Sequence, residues 1–190
     1  VVNLMDGLDG LAAGVAGIAS ITVILVAIQQ GFYPVAVITA ALAGGIVGFM
    51  RYNFNPATIF MGDTGSMFIG YMLAAISIFG AVKSAATIAL IVPAIALGLP
   101  IMDTAFAIVR RYTNGRPIFQ PDKGHLHHRL LAMGMTQRQA VLLMYIISAI
   151  LGIAAVLLTE VGGYYAVIII ALIITAVVFG AKKIGILNDR

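Results

Sequence analysis

The sequence predicts an all-α, polytopic membrane protein, a bundle of about six transmembrane helices formed as a single domain over residues 1–190. Two observations support this fold class. The chain is 62% hydrophobic and only 9% charged, whereas about 25% of the residues of a soluble domain are charged. Its apolar residues also form runs close to the ~20 residues that a helix needs to cross a bilayer. A chain with so little polar surface cannot enclose its apolar side chains in a soluble globule.

Six apolar segments are candidate spans: 11–30, 33–50, 66–82, 85–109, 140–159 and 162–181. The fourth is the longest and contains Pro93 and Pro100, and we expect it to be kinked, because proline lacks the N–H that continues a helix, or tilted. Two glycine pairs have the small-xxx-small spacing that lets membrane helices pack closely: Gly10 with Gly14, and Gly44 with Gly48.

Basic residues are distributed unevenly among the connections. If six spans alternate across the membrane, the short connections at 31–32, 83–84 and 160–161 lie on one side. Lys83 is the only basic residue on that side. The remaining basic residues and all three histidines lie on the other side, and the positive-inside rule makes that side cytoplasmic. Both ends of the chain then face the cytoplasm. This topology accounts for the net charge of +4, so we expect no nucleic-acid partner.

The segment "NLMDGLDG" at residues 3–10 places two carboxylates at the mouth of the first span. Asp6 and Asp9 stand three residues apart beside Asn3, a spacing that would put them on one helix face. One of them is explained as a helix cap, but two carboxylates exceed what a cap needs. Close carboxylates repel unless a cation or a proton lies between them. The segment therefore favours a functional site.

The segment "NPATIFMGDTGSMFIG" at residues 55–70 opens the third span. Backbone N–H groups and the helix dipole make such a start an anion site. Gly62 and Gly65 allow close approach of a ligand to the backbone. Asp63 would be a hard oxygen ligand beside a phosphate, which is how Mg²⁺ is usually held. The alternative is that Asp63, Thr64 or Ser66 only caps the helix.

The segment "NGRPIFQPDKGHLHHR" at residues 114–129 is broken into a loop by glycine and proline. Its imidazole and basic side chains are His125, His127, His128, Arg116, Lys123 and Arg129. Zinc is one ligand for histidines, but a mixture of imidazole and guanidinium suits phosphate better. Arg110 and Arg111, just upstream, are expected to be a solvated basic face. Together the three segments predict binding of a Mg²⁺–diphosphate substrate at the membrane surface.

The stretches "NLMDGLDGLAAG", "FNPATIFMGDTGS" and "PDKGHLHHRLLAMG" resemble the motifs of the polyprenyl-phosphate N-acetylhexosamine-1-phosphate transferases, of the glycosyltransferase 4 type. The resemblance covers essentially the whole chain, with the motifs in the family's order. Leu126 separates His125 from His127, and this H-x-H-H pattern resembles the undecaprenyl-phosphate GlcNAc-1-phosphate transferase branch. The phospho-MurNAc-pentapeptide transferase branch, which is the alternative, usually has three consecutive histidines.

The resemblance implies a reaction and its partners. A lipid phosphate, undecaprenyl phosphate, attacks the β-phosphate of a UDP-N-acetylhexosamine, and UMP leaves. The lipid-linked diphosphate sugar that remains initiates a cell-envelope glycan. The implied cofactor is Mg²⁺, with Mn²⁺ as an alternative. The implied location is the bacterial plasma membrane, with a cytoplasmic active face and a homodimer as an open alternative.

The resemblance also implies roles for individual residues. Asp63 would be the Mg²⁺ ligand, and the catalytic set would be Asp6, Asp63, His127 and His128. Phe60 would stack on the uracil, and Asn53 and Asp9 would lie in the nucleotide pocket. The full substrate-binding set would be Asn3, Asp9, Asn53, Phe60, Arg116, His125 and Arg129.

Length is where the chain departs from the family, which is about twice as long, with ten or eleven spans. The family also has an Asp-Asp motif upstream of the region seen here, and this chain contains no Asp-Asp pair. The chain begins with Val1 rather than Met. We therefore expect it to correspond to the C-terminal portion of a longer enzyme and to be inactive alone.

Two other functional classes fit an apolar chain with these loops. An anion transporter would explain the broken helix and the glycines, but it predicts ionisable groups near the bilayer midplane. The candidate, Asp103, lies only about two turns from the end of its predicted span. A non-catalytic scaffold for glycan assembly is the other class. Release of UMP from a UDP-sugar separates the enzyme from both.

Overall fold

The structure, a computed structural model, describes residues 1–81, 92–115, 117, 124–161 and 163–183. Its helices are α1 (Val2–Met5), α2 (Leu11–Gln29), α3 (Tyr33–Asn53), α4 (Gly62–Ala81), α5 (Gly98–Thr113), α6 (Leu126–Ala132), α7 (Gln137–Leu158) and α8 (Gly163–Lys183). Residues 92–96 are also helical. These described ranges contain no strand, which confirms the all-α prediction.

In the described part of the chain, four helices are long and apolar enough to cross a membrane. They are Leu11–Gln29, Tyr33–Asn53, Gly62–Gly80 and Gln137–Leu158, and they match four of the six predicted spans. A fifth prediction, 162–181, corresponds to α8. The chain is therefore a polytopic membrane protein. α4 and α7 begin three or four residues before the predicted spans, because their first turns are polar and an apolar window omits them.

The predicted fourth span, 85–109, is only partly visible, since residues 82–91 lie outside the described ranges. Its described part is interrupted at Leu97, between the helical residues 92–96 and α5. Pro100 lies in the first turn of α5, where its missing N–H costs no hydrogen bond within the helix. The span is therefore interrupted between its two prolines, where a kink or a tilt was expected. α5 continues beyond 109 to Thr113, so Asp103 lies well inside it rather than two turns from its end.

The centre of the bundle is α2, which packs against α3, α4 and α7. It is apolar on all sides, as expected of a helix surrounded by others. In its most apolar stretch, 67% of the residues are buried. At Gly14 the approach is so close that an added methyl group would overlap the Tyr145 ring of α7. The first glycine pair is thus confirmed as a packing contact. A methyl group on Gly44 or Gly48 would meet only open space in the described structure.

The two ends of the bundle are formed by different connections of the chain. At one end, Gln29 Nε2 donates to Glu160 Oε1 at 2.9 Å, which joins the connection after α2 to the connection after α7. At the other end, Asn3 Nδ2 donates to Asp63 Oδ1 at 2.9 Å, which joins the first two motifs. The predicted separation of short connections from motifs is therefore confirmed for two connections. The third, at 83–84, lies outside the described ranges.

Candidate functional site

The first motif folds as a short helix, a turn and the start of α2. Asp6 ends α1, and Gly10 precedes α2 with φ of 78°, a left-handed conformation that glycine adopts readily. Asp6 and Asp9 therefore do not share a helix face, and that prediction is wrong. The glycines interrupt the helix, so the two carboxylates reach different partners.

An acidic pair forms where α1 meets the start of α4. Asn3 Nδ2 donates to Asp63 Oδ1 at 2.9 Å and to Ser66 Oγ at 3.0 Å. Asp63 is exposed in the first turn of α4, where the positive end of the helix dipole favours a carboxylate. Partial burial and, second, the Asp63 carboxylate raise the pKa of Asp6. The two negative charges are thus close enough to disfavour each other, which is the situation that a bound cation relieves.

The donor set of this acidic pair fits Mg²⁺. Mg²⁺ prefers oxygen ligands, and proteins usually hold it with one or two carboxylates while substrate phosphates and waters complete the shell. Asp6 and Asp63 supply two carboxylates, and Asn3 supplies an amide. Among the described residues, no group of three or more His, Cys, Asp or Glu side chains is arranged to hold a metal. The described residues therefore give no support to zinc at the histidines.

Asp9 and Asn53 hold the loop that runs from α3 to α4. Asn53 is buried; its Oδ1 accepts from Gly10 N at 3.1 Å and its Nδ2 donates to Ile59 O at 2.9 Å. Asp9 Oδ2 accepts from Ala57 N at 3.0 Å. Both predicted nucleotide-pocket residues therefore bind the protein's own backbone. Their visible effect is to shape the loop.

The same loop presents Phe60, whose ring is 73% exposed and so has a face available for stacking on a planar base. The start of α7 also holds the loop. Asn55 Nδ2 donates to Gln137 Oε1 at 3.0 Å, and Arg138 Nε donates to Asn55 O at 3.1 Å. Sequence reasoning missed these three polar residues. The signal available was the position of Asn55 at the start of the second motif.

The histidine segment is attached to α5 by a buried carboxylate that sequence reasoning left unassigned. Asp103 Oδ2 lies 2.9 Å from His125 Nδ1, and Asp103 Oδ1 accepts from Leu126 N at 2.8 Å. These bonds hold the first residues of α6 against the middle of α5. The sequence did contain a signal, because an ionisable residue inside an apolar span is a functional candidate by default.

His127 connects the third motif to the first. It is buried, and a methyl group added to Gly7 would come within 2.7 Å of His127 Nε2. Its ring stacks on His125 at 5.9 Å between centroids and lies 4.2 Å from the ring of His128, which is exposed. Burial first, and then the charge of His128, lowers the pKa of His127 to about 4, although Asp103 opposes the shift. His127 is therefore neutral near pH 7.

The buried Nδ1 of His127 is an exception to the rule that buried polar atoms are paired. No hydrogen-bond partner for it is present in the described structure. The turn of the first motif thus lies near two kinds of group. One is the acidic pair of Asp6 and Asp63, and the other is the neutral imidazole of His127 in α6. Carboxylates and an imidazole are groups suited to holding a phosphate and its cation.

The arginines beside the histidine segment are not all solvated, as the burial of Arg110 shows. Arg110 is only 3% exposed, and its guanidinium lies over Gly124, where an added methyl group would overlap it. The prediction of a solvated face is therefore wrong for Arg110, because α5 extends past the predicted span and its last turns pack against the histidine segment. Arg129 Nε donates to Gly124 O at 3.3 Å. Arg116, a predicted phosphate ligand, lies outside the described residues.

Residues 1–81 match the family model described as "Glycosyl transferase family 4". This range contains the first two motifs, with the acidic pair of Asp6 and Asp63. Over this range the chain is similar to glycosyl transferase family 4. This similarity agrees with the resemblance that the three motifs carry.

Sequence relatives extend the similarity to the full length of the chain. It is 41% identical over 189 residues to a probable undecaprenyl-phosphate N-acetylglucosaminyl 1-phosphate transferase of Bacillus subtilis (strain 168), of which it covers 53%. It is 44% identical, over 77% of its length, to a decaprenyl-phosphate N-acetylglucosaminephosphotransferase of Mycolicibacterium smegmatis, of which it covers 39%. The chain thus spans about half the length of the relatives it matches, or less. Its correspondence to the C-terminal portion of a longer enzyme stays a prediction.

The pentapeptide branch of the family is also related to this chain, at lower identity. The chain is 33% identical, over 82% of its length, to a phospho-N-acetylmuramoyl-pentapeptide-transferase of Desulforamulus reducens, of which it covers 45%. The higher identity to N-acetylglucosamine phosphotransferases agrees with the H-x-H-H pattern of the histidine segment. The identities therefore favour the branch that the sequence indicated.

Proposed function

We propose that the full-length protein transfers GlcNAc-1-phosphate from UDP-GlcNAc to undecaprenyl phosphate, releasing UMP. One observation carries the proposal: the turn between α1 and α2 lies between an acidic pair and an imidazole. Asn3 bonds to Asp63 beside this turn, and His127 lies against Gly7 within it. Oxygen ligands for a cation next to nitrogen donors for phosphate suit diphosphate chemistry.

The proposed reaction is a phosphoryl exchange. An oxygen of the lipid phosphate attacks the phosphorus of the sugar-linked phosphate and forms a new P–O bond. The bond from that phosphorus to the oxygen bridging to uridine phosphate breaks, and its electron pair leaves with UMP. The product is a lipid-linked diphosphate sugar. Little covalent chemistry is asked of the protein, so its contribution is positioning and charge stabilisation.

In this proposal Asp63 is the ligand for Mg²⁺, or for Mn²⁺ in its place, with Asp6 as the neighbouring carboxylate. The ion, when bound, supplies positive charge that stabilises the developing charge on the phosphates. Asn3 orients the Asp63 carboxylate through its hydrogen bond. His127 and His128 supply imidazole nitrogens to this site, and Arg116 and Arg129 add positive charge.

The nucleotide is assigned to the loop between α3 and α4. Phe60 stacks on the uracil, an assignment supported by its exposed ring. Asp9 and Asn53 keep the loop in shape through their bonds to Ala57 and Ile59. The site end of the bundle faces the cytoplasm of a bacterial plasma membrane, and the distribution of basic residues supports that orientation.

The experiment uses membranes that contain the full-length protein, UDP-GlcNAc labelled in the sugar, and undecaprenyl phosphate. We expect UMP and a labelled lipid-linked sugar to form together, and only when both substrates are present. UDP-MurNAc-pentapeptide as the donor tests the related branch, and we expect it to be the poorer donor. Absence of UMP release from UDP-GlcNAc, or uptake of intact UDP-sugar into vesicles, would contradict the proposal.

A further inference from the structure

We infer that Asp103 is a positioning residue for the proposed transfer: through His125 it fixes the histidine segment and so holds His127 against the turn between α1 and α2. The inference rests on the proposed function, and it assigns a task to a buried carboxylate that the reaction itself does not use.

Both oxygens of Asp103 are committed to the histidine segment. Oδ2 lies 2.9 Å from His125 Nδ1, and Oδ1 accepts from Leu126 N at 2.8 Å. The second bond satisfies one of the backbone N–H groups that a helix start leaves without an intrahelical partner. Asp103 is 6% exposed, and a buried carboxylate is costly unless it is paired and hydrogen-bonded. Both contacts of the Asp103 carboxylate therefore orient the histidine segment.

The segment depends on this anchor because α6 is short. It has seven residues, and a helix of that length is marginal without tertiary contacts. The rings of His125 and His127 are stacked with an interplanar angle of 7°. The Nε2 of His127 in turn faces Gly7. A shift at His125 therefore moves the imidazole that faces the first motif.

The carboxylate also selects a tautomer of His125. A carboxylate oxygen accepts hydrogen bonds, so the contact with Asp103 favours the form of His125 that carries a proton on Nδ1. In Asp103→Asn the amide oxygen still accepts from Leu126 N, but the amide NH₂ faces His125 Nδ1. The proton must then move to Nε2 or the ring must turn. This substitution keeps the volume and the bond at the start of α6, and it changes only the contact to His125.

The test is a double-mutant cycle in the full-length protein, with kcat and KM measured by UMP release from UDP-GlcNAc. We expect Asp103→Asn to lower kcat by about tenfold to a hundredfold, as a misplaced group does, with little change in KM. If Asp103 acts through His125, the double variant with His125→Ala loses no more than the worse single variant, because the two residues act as one unit. Glu160→Gln, the same chemical change at the opposite end of the bundle, should leave kcat unchanged.

A second pair of variants tests the inference even if Asp103→Asn does not accumulate. His125→Asn keeps an N–H that reaches toward Asp103, whereas His125→Ala leaves the buried carboxylate without that donor. We expect His125→Asn to recover most of the kcat that His125→Ala loses. Additive losses in the cycle, or equal losses in the two His125 variants, would overturn the inference. A wild-type protein that releases no UMP would instead overturn the proposed function.

Discussion

The ring of His127 lies directly against Gly7, so that a methyl group at Gly7 would come within 2.7 Å of His127 Nε2. Side-chain carbons essentially never approach other atoms that closely. The contact joins the first motif to the third, which are far apart in sequence. Because the backbone of Gly7 is not in the left-handed region, what position 7 requires is space for the imidazole.

Gly7→Ala should therefore displace His127 while leaving the fold intact. We expect kcat for UMP release by the full-length protein to fall by about tenfold or more, since a displacement near 1 Å costs up to about a hundredfold. Gly180→Ala is the matched control, because a methyl group there meets nothing within 4 Å in the described structure. A wild-type rate for Gly7→Ala would show that the contact has no part in turnover.

Tyr145 should stabilise the first motif in two separable ways. Its hydroxyl donates to Gly10 O at 2.5 Å, and its ring fills the space left by Gly14. Tyr145→Phe removes only the hydrogen bond, which should cost about 1 kcal/mol. Gly14→Ala forces the ring away, and overpacking of this kind costs about 1–3 kcal/mol or more. Thermal unfolding in detergent measures both, and the reverse order would contradict the packing described.

Acid should destabilise the protein through His127. Burial and the neighbouring His128 lower the pKa of His127 to about 4 from an ordinary 6.5. Between these values the unfolded chain binds a proton that the folded chain does not. The contribution of His127 to the free energy of unfolding is therefore fully present above pH 6.5. It falls by up to about 1.4 kcal/mol per pH unit toward pH 4. His127→Gln should flatten this dependence in unfolding curves, and an unchanged slope would mean that another group causes it.

The spans were predictable because they depend on composition alone. α2 and α3 lie within a few residues of the predicted apolar segments, since a membrane-spanning helix is recognised by the length of its apolar run. The meeting of the three motifs at one end also followed from their placement in loops on one side. The contact of Asn3 with Asp63 agrees with that expectation.

Other features required the fold. Asp6 and Asp9 have helical spacing, but Gly10 takes a left-handed conformation and separates them. Asp103 and His125 are brought together only because α5 and α6 converge, and a sequence does not show which loop folds back on which helix. Arg110 became buried for the same reason.

The topology predicts opposite accessibility for two ends of the bundle. Met133 lies at the end of α6 near the site, and Glu160 follows α7 at the far end; the chain itself has no cysteine. In a cysteine-free full-length protein, an impermeant maleimide applied to intact cells should label Glu160→Cys and not Met133→Cys. Both should react after permeabilisation. Labelling of Met133→Cys in intact cells would place the histidine segment outside the cytoplasm.

The most direct test is a Mg²⁺ titration of UMP release by full-length wild-type protein and Asp63→Asn. Asparagine suits a helix start about as well as aspartate, and its oxygen still accepts from Asn3, so the variant should fold. If Asp63 holds the ion, Asp63→Asn should lower the activity by more than about a hundredfold, which corresponds to several kcal/mol of lost transition-state stabilisation. The remaining activity should need far more Mg²⁺. Glu160→Gln should follow the wild-type curve. Overlapping curves for wild type and Asp63→Asn would contradict the assignment of Asp63 as the metal ligand.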